Sequence, residues 1–234
     1  MGAEVVLAVP RNVIDSILPE GFSNTISLNA FATAIRGHLV WGDRAELKAK
    51  AEDAQAIAYN IYMIDGDEPY GPDLVSLYQR AKTVGEELLM GDLSIGYGGH
   101  VDKATDEVKD EHDYTDFVAT LLASQAREDG EEIKITDAEG NVIKPTYTHI
   151  GWINDNSNAI GRIHFAAVFV TLLPAGSKIE SNEPNQIIQG AFPVLDLLRK
   201  EARPFENWSK FALNQLFHHV NGHGQLNRSI KALA

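Results

Sequence analysis

The chain has 234 residues, a net charge of −13 and no cysteine. The missing cysteines exclude disulfides, thiol catalysis and metal sites built on thiolates, and the negative charge disfavours broad nucleic-acid binding, which needs a basic surface. Residues 1–10 carry Glu4 and no basic region before their short apolar run, unlike a signal peptide, and no apolar stretch reaches the roughly 18 residues of a membrane helix. We therefore expect a cytoplasmic protein without a membrane partner.

The first part of the chain mixes predicted strands and helices. Residues 4–10 (EVVLAVP) predict a strand because they are apolar and β-branched. Residues 23–35 predict a helix that begins from a cap at Asn24 or Ser27, and residues 44–58 leave a helix or an exposed arm open. The other predicted elements are a helix at 11–18 and the strands 56–64 and 74–79 across a turn at 65–72.

The second part begins with residues 102–116, which carry seven acidic side chains against two lysines and predict a solvated loop. Thr115 or Asp116 then caps a predicted helix that starts at Phe117 and runs into a group of glutamates. Residues 132–136 and 142–153 predict a hairpin around a Gly-Asn turn. A strand at 162–173 and helices at 194–202 and 206–219 follow. We expect one α/β domain over residues 1–234, with its core at about 5–210 and a C-terminal helical extension at about 206–234.

A glycine-rich turn and a carboxylate cluster are the features that carry chemistry. The turn contains Gly98 and Gly99, and the cluster consists of Glu128, Glu131 and Glu132. Residues three and four apart are neighbours on a helix, so a helix here places the glutamates on one face. Close like charges repel unless a cation lies among them, and hard oxygen ligands suit Mg²⁺ or Mn²⁺. A solvated helix face is the alternative that these three residues alone leave open.

Both features resemble parts of a known motif, the Nudix box. Residues 127–135 (REDGEEIKI) resemble its second half, Arg-Glu-apolar-x-Glu-Glu-x-Gly-apolar, and residues 98–101 (GGHV) resemble its glycine-led start. The chain looks like a Nudix branch loosely described as MutT-family phosphoesterases, over about residues 5–210. Further similar segments are residues 94–97, 150–155, 161–164 and Trp208-Ser209.

The resemblance implies a fold and a chemistry. The fold is a mixed sheet sandwiched between helices, here with N-terminal and C-terminal helical additions. The chemistry is metal-dependent attack of water on a diphosphate linkage in a nucleoside diphosphate derivative. Carried over to this chain, Glu128, Glu131 and Glu132 would hold Mg²⁺ (or Mn²⁺) with the backbone carbonyl of Gly98, and Arg127 would brace the helix. Glu131 and Glu132 are then also the catalytic carboxylates.

The box of this chain departs from the usual pattern in spacing and in composition. Gly99 and Arg127 lie 28 positions apart, a longer spacing than usual. The acidic residue expected before the arginine falls at Ala119, so the helix brace is missing or is replaced by a loop residue such as Asp116. Three further positions differ, namely Asp129 at an apolar position, Gly130 within the helix and Lys134 at the closing glycine.

A catalytic base outside the box is common in this superfamily. Glu183 is the candidate, with Glu180 as the alternative in the same loop. The candidates for phosphate binding are Arg80, Lys82 and His100, each of which also has an ordinary reading as an exposed cation or a turn histidine. His164 and Trp152 are predicted to be core residues rather than ligand contacts.

The sequence thus supports two functions from different classes. The first is a Mg²⁺-dependent Nudix pyrophosphohydrolase with a small nucleotide as substrate. The second is a non-catalytic Nudix-fold module that binds a nucleotide or a protein, which the altered spacing and Ala119 favour. A homodimer stays open because small Nudix proteins often dimerise.

Overall fold

A computed structural model of the chain describes residues 4–66, 73–80, 91–183, 186–199 and 205–221. Lys82 lies outside these residues. The chain forms two compact units. The first unit contains residues 1–59, 98–128 and 149–169, and the second contains residues 60–97, 129–148 and 170–234. The predicted single domain over residues 1–234 stays a prediction.

The described residues form a mixture of helices and strands. The helices are α1 (Arg11–Ile17), α2 (Leu28–Ile35), α3 (Arg44–Lys50), α4 (Lys103–Asp106), α5 (Phe117–Glu132), α6 (Ala159–Arg162), α7 (Val194–Arg199) and α8 (Asn207–Asn221). The strands are β1 (Val5–Pro10), β2 (Gly21–Ser23), β3 (Val40–Asp43), β4 (Asp53–Ile64), β5 (Leu74–Arg80), β6 (Leu93–Ser94), β7 (Gly96–Tyr97), β8 (Ile133–Thr136), β9 (Thr148–Asn154), β10 (His164–Leu173), β11 (Lys178–Ser181) and β12 (Gln186–Pro193).

In the first unit the strands lie in the order β3-β1-β4-β10-β9-β2. Helix α2 begins at Ser27, whose hydroxyl accepts a hydrogen bond from the backbone N–H of Ala30, which confirms the predicted cap. The helix buries Phe31, whose ring centre lies 3.9 Å from that of Trp152. Trp152 is fully buried and His164 nearly so, which confirms both as core residues.

In the second unit β5 pairs with β12, with β6 and with the end of β4. Strand β7 pairs with β4, and β8 pairs with β11 in a separate two-stranded sheet. The core of this unit contains three tyrosines and aliphatic residues: Tyr62, Tyr78, Tyr97, Ile64, Ile133, Ile135 and Leu173. The core therefore carries phenol hydroxyls as well as hydrocarbon.

Strands β4 and β10 run parallel, which makes the sheet mixed. The N–H of Gln55 donates to the carbonyl of Ile163, and the N–H of Asp65 donates to the carbonyl of Leu173. Both bonds keep the same offset along the two strands, and only parallel strands do so. Among the described residues, no helix is long and apolar enough to cross a membrane.

Two predictions need correction. Residues 44–58 form neither one helix nor an arm, because α3 ends before Ala51, which adopts a left-handed conformation (φ 53°), and β4 then begins. The predicted hairpin between residues 132–136 and 142–153 is also wrong beyond its turn. Thr136 bridges to Val142, but Pro145 has no N–H to continue a ladder, and β8 pairs instead with β11.

Candidate active site

The glycine turn lies directly against its neighbours in the first unit. Gly98 has φ +130°, and a Cβ atom there would lie 2.2 Å from the carbonyl oxygen of Ala58. A Cβ atom on Gly99 would lie 2.5 Å from Oε1 of Glu128. The N–H of Ala58 also donates to the carbonyl of Gly99. Gly98 needs glycine because of its positive φ and the nearby backbone oxygen, whereas at Gly99 a side chain would displace the Glu128 carboxylate. The turn therefore brings backbone close to a carboxylate.

Arg127 joins helix α5 to the segment after the glycine turn. Its guanidinium donates to both carboxylate oxygens of Asp106 at 2.8 and 3.1 Å. It also donates to Glu128 at 2.8 Å and to the carbonyl of His100 at 3.1 Å. The bonds with Asp106 raise the pKa of Arg127. Burial alone would raise the pKa of Asp106, but the hydrogen bonds and charge of Arg127, together with hydrogen bonds from the backbone of Asp102 and from Thr105, lower that pKa overall.

The acid that pairs with Arg127 is therefore not the one expected from the box. The expected position, Ala119, has no carboxylate, and Asp116 instead caps helix α5 by accepting from the N–H of Ala119 at 3.1 Å. Asp106 was predicted to lie in a solvated loop, but helix α4 buries it. Asp106 lies close to Gly99 in sequence, so the brace could have been predicted from the glycine turn rather than from the position of Arg127.

Helix α5 carries the three predicted metal ligands, Glu128, Glu131 and Glu132, along one continuous helix. The helix ends at Glu132, and β8 follows at once. Helix periodicity places the three carboxylates on neighbouring positions of one face. Within the described parts of the chain, no group of three acidic, cysteine or histidine side chains is already arranged to hold a metal ion. The chemistry of the set, three carboxylates on neighbouring positions of one helix, nevertheless fits a hard divalent cation.

In the second unit the loop with the candidate base lies at the end of helix α5. The N–H of Asn182 donates to the carbonyl of Glu132 at 2.7 Å, and Glu183 follows directly. Ser181 and Glu183 exchange hydrogen bonds that shape the loop. Glu180 lies opposite Lys134 in the β8–β11 pair, where the two opposite charges are cross-strand neighbours. Glu183 thus follows directly after the residue that bonds to the end of helix α5, and its role as the base stays a prediction.

His100 is directed at His164. Their Nε2 atoms lie 3.0 Å apart, and Nδ1 of His164 lies 2.8 Å from the carbonyl oxygen of Ile160. Because a carbonyl only accepts, Nδ1 of His164 carries the proton, and Nε2 of His100 then donates to Nε2 of His164. Burial, and then the neighbouring His164, hold the pKa of His100 well below its usual value. A phosphate contact from His100 stays a prediction.

Arg80 is a partly exposed cation in the second unit. Its guanidinium lies 3.5 Å from Glu206 and 5.7 Å from the ring centre of Tyr78. Burial raises the pKa of Tyr78, Arg80 lowers it, and Glu206 and Glu132 raise it. Arg80 and the last glutamate of helix α5 thus act on the same phenol.

Glu206 is a buried residue of this unit that the sequence did not indicate. It accepts hydrogen bonds from the hydroxyls of Ser94 at 2.6 Å and Ser209 at 3.1 Å. Ser209 in turn accepts from the N–H of Ile95 at 3.1 Å. The similar Trp208-Ser209 segment was the signal for this region, but it did not reveal the carboxylate three residues before the serine.

A solved structure resembles this chain over most of its length. No family model matches the chain. Protein YmaB of Bacillus subtilis (strain 168) is 26% identical over 215 residues, which cover 91% of this chain and 97% of that protein. The crystal structure of Tm1382, a proposed Nudix hydrolase, is 21% identical, covers 91% of this chain and 98% of its own, and has a TM-score of 0.66. A mutT/nudix family protein from Listeria innocua is 16% identical and covers 74% of this chain and 97% of its own, with a TM-score of 0.48.

The likeness to Tm1382 extends over most of both chains. The fold is therefore of the Nudix type, an α/β fold with a mixed sheet and helices, which confirms the resemblance and the fold class predicted from the box. Fold alone does not define substrate or activity.

Proposed function

We propose that the chain is a Mg²⁺-dependent Nudix pyrophosphohydrolase that cleaves a diphosphate linkage in a nucleoside diphosphate derivative. The observation that carries this proposal is the contact between the glycine turn and helix α5, where the Cβ position of Gly99 lies 2.5 Å from Oε1 of Glu128. The backbone of the turn thus lies beside a carboxylate, which supports a cation held jointly by the two.

The residues that would hold the cation are carboxylates of helix α5 and one backbone oxygen. They are Glu128, Glu131 and Glu132, with the carbonyl of Gly98. Oxygen donors of this kind suit Mg²⁺ or Mn²⁺. When bound, such an ion polarises a phosphoryl oxygen and lowers the pKa of bound water.

The residues of the chain would divide the remaining work. Glu183 would act as the general base that accepts a proton from the attacking water, supported by the bond of its neighbour Asn182 to the end of helix α5. Glu131 and Glu132 would orient that water from the last turn of the helix. The brace of Arg127 would keep the Glu128 carboxylate in place, since the two side chains are joined at 2.8 Å.

Cations and a histidine would bind the phosphates of a small nucleotide. Arg80 is the best supported, because its side chain is 38% exposed and lies beside the Tyr78 ring, 5.7 Å from its centre. Its guanidinium also pairs with Glu206 at 3.5 Å. Lys82 and His100 are the other two candidates for this role.

Turnover in the presence of Mg²⁺ tests the proposal. A panel of nucleoside diphosphate sugars, dinucleoside polyphosphates and ADP-ribose would be assayed with the wild-type chain and with Glu132→Gln. We expect hydrolysis of at least one compound by the wild type and a loss of about two orders of magnitude in kcat in the variant, since a metal ligand is removed. Equal activity in both proteins, or no turnover of any compound, would count against the proposal.

A non-catalytic binding module is the second candidate. The observation that favours it is the spacing of 28 positions between Gly99 and Arg127, which is longer than usual in the box. Such a module would bind a nucleotide in calorimetry without product in the cell, and Glu132→Gln would leave that binding unchanged. Detection of product in the cell would exclude it.

A further inference from the structure

Helix α5 carries a buried carboxylate that the proposed metal site does not use. Asp129 is only 5% exposed. The hydroxyl of Tyr147 donates to its Oδ2 at 2.5 Å. Burial and the charge of Asp129 both raise the pKa of Tyr62, and burial and the hydrogen bond to Asp129 raise that of Tyr147. One carboxylate thus faces two phenols inside the second unit.

Two features of residues 128–132, which contain Asp129, weaken the end of helix α5. Four of its five residues, 128–132, are carboxylates, which repel one another. The fifth is Gly130, which weakens a helix interior. A Cβ atom at Gly130 would meet nothing within 4 Å, so packing does not require the glycine. The end of the helix therefore needs contacts from outside to hold its orientation.

An apolar residue is usual at the position of Asp129 in the box that this chain resembles. A carboxylate there is costly to bury unless it is hydrogen-bonded, and Tyr147 provides that bond. The loop that carries Tyr147 is itself held, because the hydroxyl of Thr171 on β10 donates to the carbonyl of Thr146 at 2.9 Å. A fixed phenol can therefore fix the helix.

We propose that Asp129 is a positioning residue whose hydrogen bond with Tyr147 orients the last turn of helix α5, so that Glu131 and Glu132 face the cation. The inference rests on the proposed function. The helix end is held on one side by this bond and on the other by the bond from Asn182 to the carbonyl of Glu132. A phenol keeps the charge of Asp129 unchanged, so the negative potential that attracts a cation is retained.

Two substitutions of Asp129 separate its charge from its hydrogen bond. Asp129→Leu and Asp129→Asn remove the same charge, but only asparagine can still accept a hydrogen bond from Tyr147. Tyr147→Phe removes the bond and keeps the charge. Ser27→Ala removes the cap of helix α2 and serves as the matched control for a loss of stability far from the metal ligands.

The experiment is calorimetric titration of each folded protein with Mn²⁺, without any substrate. We expect Asp129→Leu and Tyr147→Phe to weaken Mn²⁺ binding by about tenfold, the range seen when residues behind metal ligands are removed. Asp129→Asn should bind Mn²⁺ more tightly than Asp129→Leu because it keeps the hydrogen bond from Tyr147, and Ser27→Ala should stay near the wild type despite its lower Tm. Amide hydrogen exchange in residues 128–132 should speed up in Tyr147→Phe and not in Ser27→Ala.

The outcomes distinguish the two proposals. If the wild type binds Mn²⁺ and Tyr147→Phe and Asp129→Leu bind it equally well, the positioning role is wrong while the proposed function stands. If Ser27→Ala loses as much affinity as Tyr147→Phe, the bond only stabilises the fold, and the positioning role is again wrong. If the wild type does not bind Mn²⁺, the proposed function fails and the inference fails with it.

Discussion

Two nearby residues of helix α5 are held by different chemistry. In the first unit a guanidinium pairs with a buried carboxylate through Arg127 and Asp106. Two positions further along the helix, in the second unit, a phenol bonds to a buried carboxylate through Tyr147 and Asp129. The first contact joins opposite charges, and the second is a neutral donor on one charge.

The two contacts differ in whether they neutralise the carboxylate that they hold. Arg127 neutralises Asp106 and also touches Glu128, so removal of the guanidinium leaves buried charge without compensation. Tyr147 neutralises nothing, so the helix end keeps its full negative potential for a cation. We therefore expect changes at Arg127 to act mostly on folding and changes at Tyr147 to act mostly on metal binding.

Removal of the guanidinium should have the largest effect on stability. In Arg127→Ala the Asp106 side chain, which is fully buried, would lose its cation, and loss of one partner of a buried pair costs roughly 3–5 kcal/mol. The free energy of unfolding from urea titration measures this cost.

Two further variants control that prediction. Arg44→Ala breaks an exposed pair with Glu4 at 2.9 Å and should cost less than about 1 kcal/mol. The double variant Arg127→Met with Asp106→Leu should recover most of the loss, because it removes both charges. A small cost for Arg127→Ala, similar to that for Arg44→Ala, would contradict the importance given to the brace.

Features that depend on residues close together in sequence were predicted, and a contact between residues far apart in sequence was missed. Helix α5 and its Asp116 cap follow from nearby residues, and the glycine turn follows from a short motif. Asp106 escaped prediction because its partner Arg127 lies 21 residues away. Its charge alone indicated solvent, and only helix α4 and the fold bring the two together. At this site, a contact between residues far apart in sequence could not be predicted from either residue alone.

Strand pairing shows the same limit. The turn at residues 137–141 indicated a hairpin, and its first bridge does form. Pro145 ends that ladder because it lacks an N–H. The partner of β8 is β11, which lies about 40 residues further along the chain, and Glu206 likewise meets Ser94 only through the fold. Pairings between distant segments leave no pattern in either segment.

Acid should act on the first unit through His149. This imidazole lies edge-to-face on Trp152 and Phe169, and burial lowers its pKa to about 4. The unfolded chain binds the proton at about pH 6.5. The stabilisation is therefore fully present above pH 6.5 and is lost as the pH falls to about 4, by up to roughly 3 kcal/mol. Urea titrations across this range measure the loss.

His149→Phe is the control for this pH dependence. Phenylalanine keeps the ring contacts and does not titrate, so the variant should show a flatter stability profile between about pH 6.5 and 4. Asp106 has a lowered pKa, so its own contribution is lost only at lower pH, below the unfolded carboxyl value of about 3.9. Equal slopes for wild type and His149→Phe would show that the imidazole is not the group that responds.

The smallest expected effect has the opposite sign and lies at Gly130, in the middle of residues 128–132. Gly130 is inside helix α5 with open space at its Cβ position, so Gly130→Ala should stabilise the chain by about 0.5–1 kcal/mol through a stiffer unfolded chain. Gly140 also has open space, but its φ is +89°, so Gly140→Ala should destabilise. The Tm values of the two variants measure the contrast. A lower Tm for Gly130→Ala would mean that helix α5 requires glycine at this position, although packing leaves room for a side chain. The end of helix α5 would then depend on backbone freedom rather than on the bond between Asp129 and Tyr147.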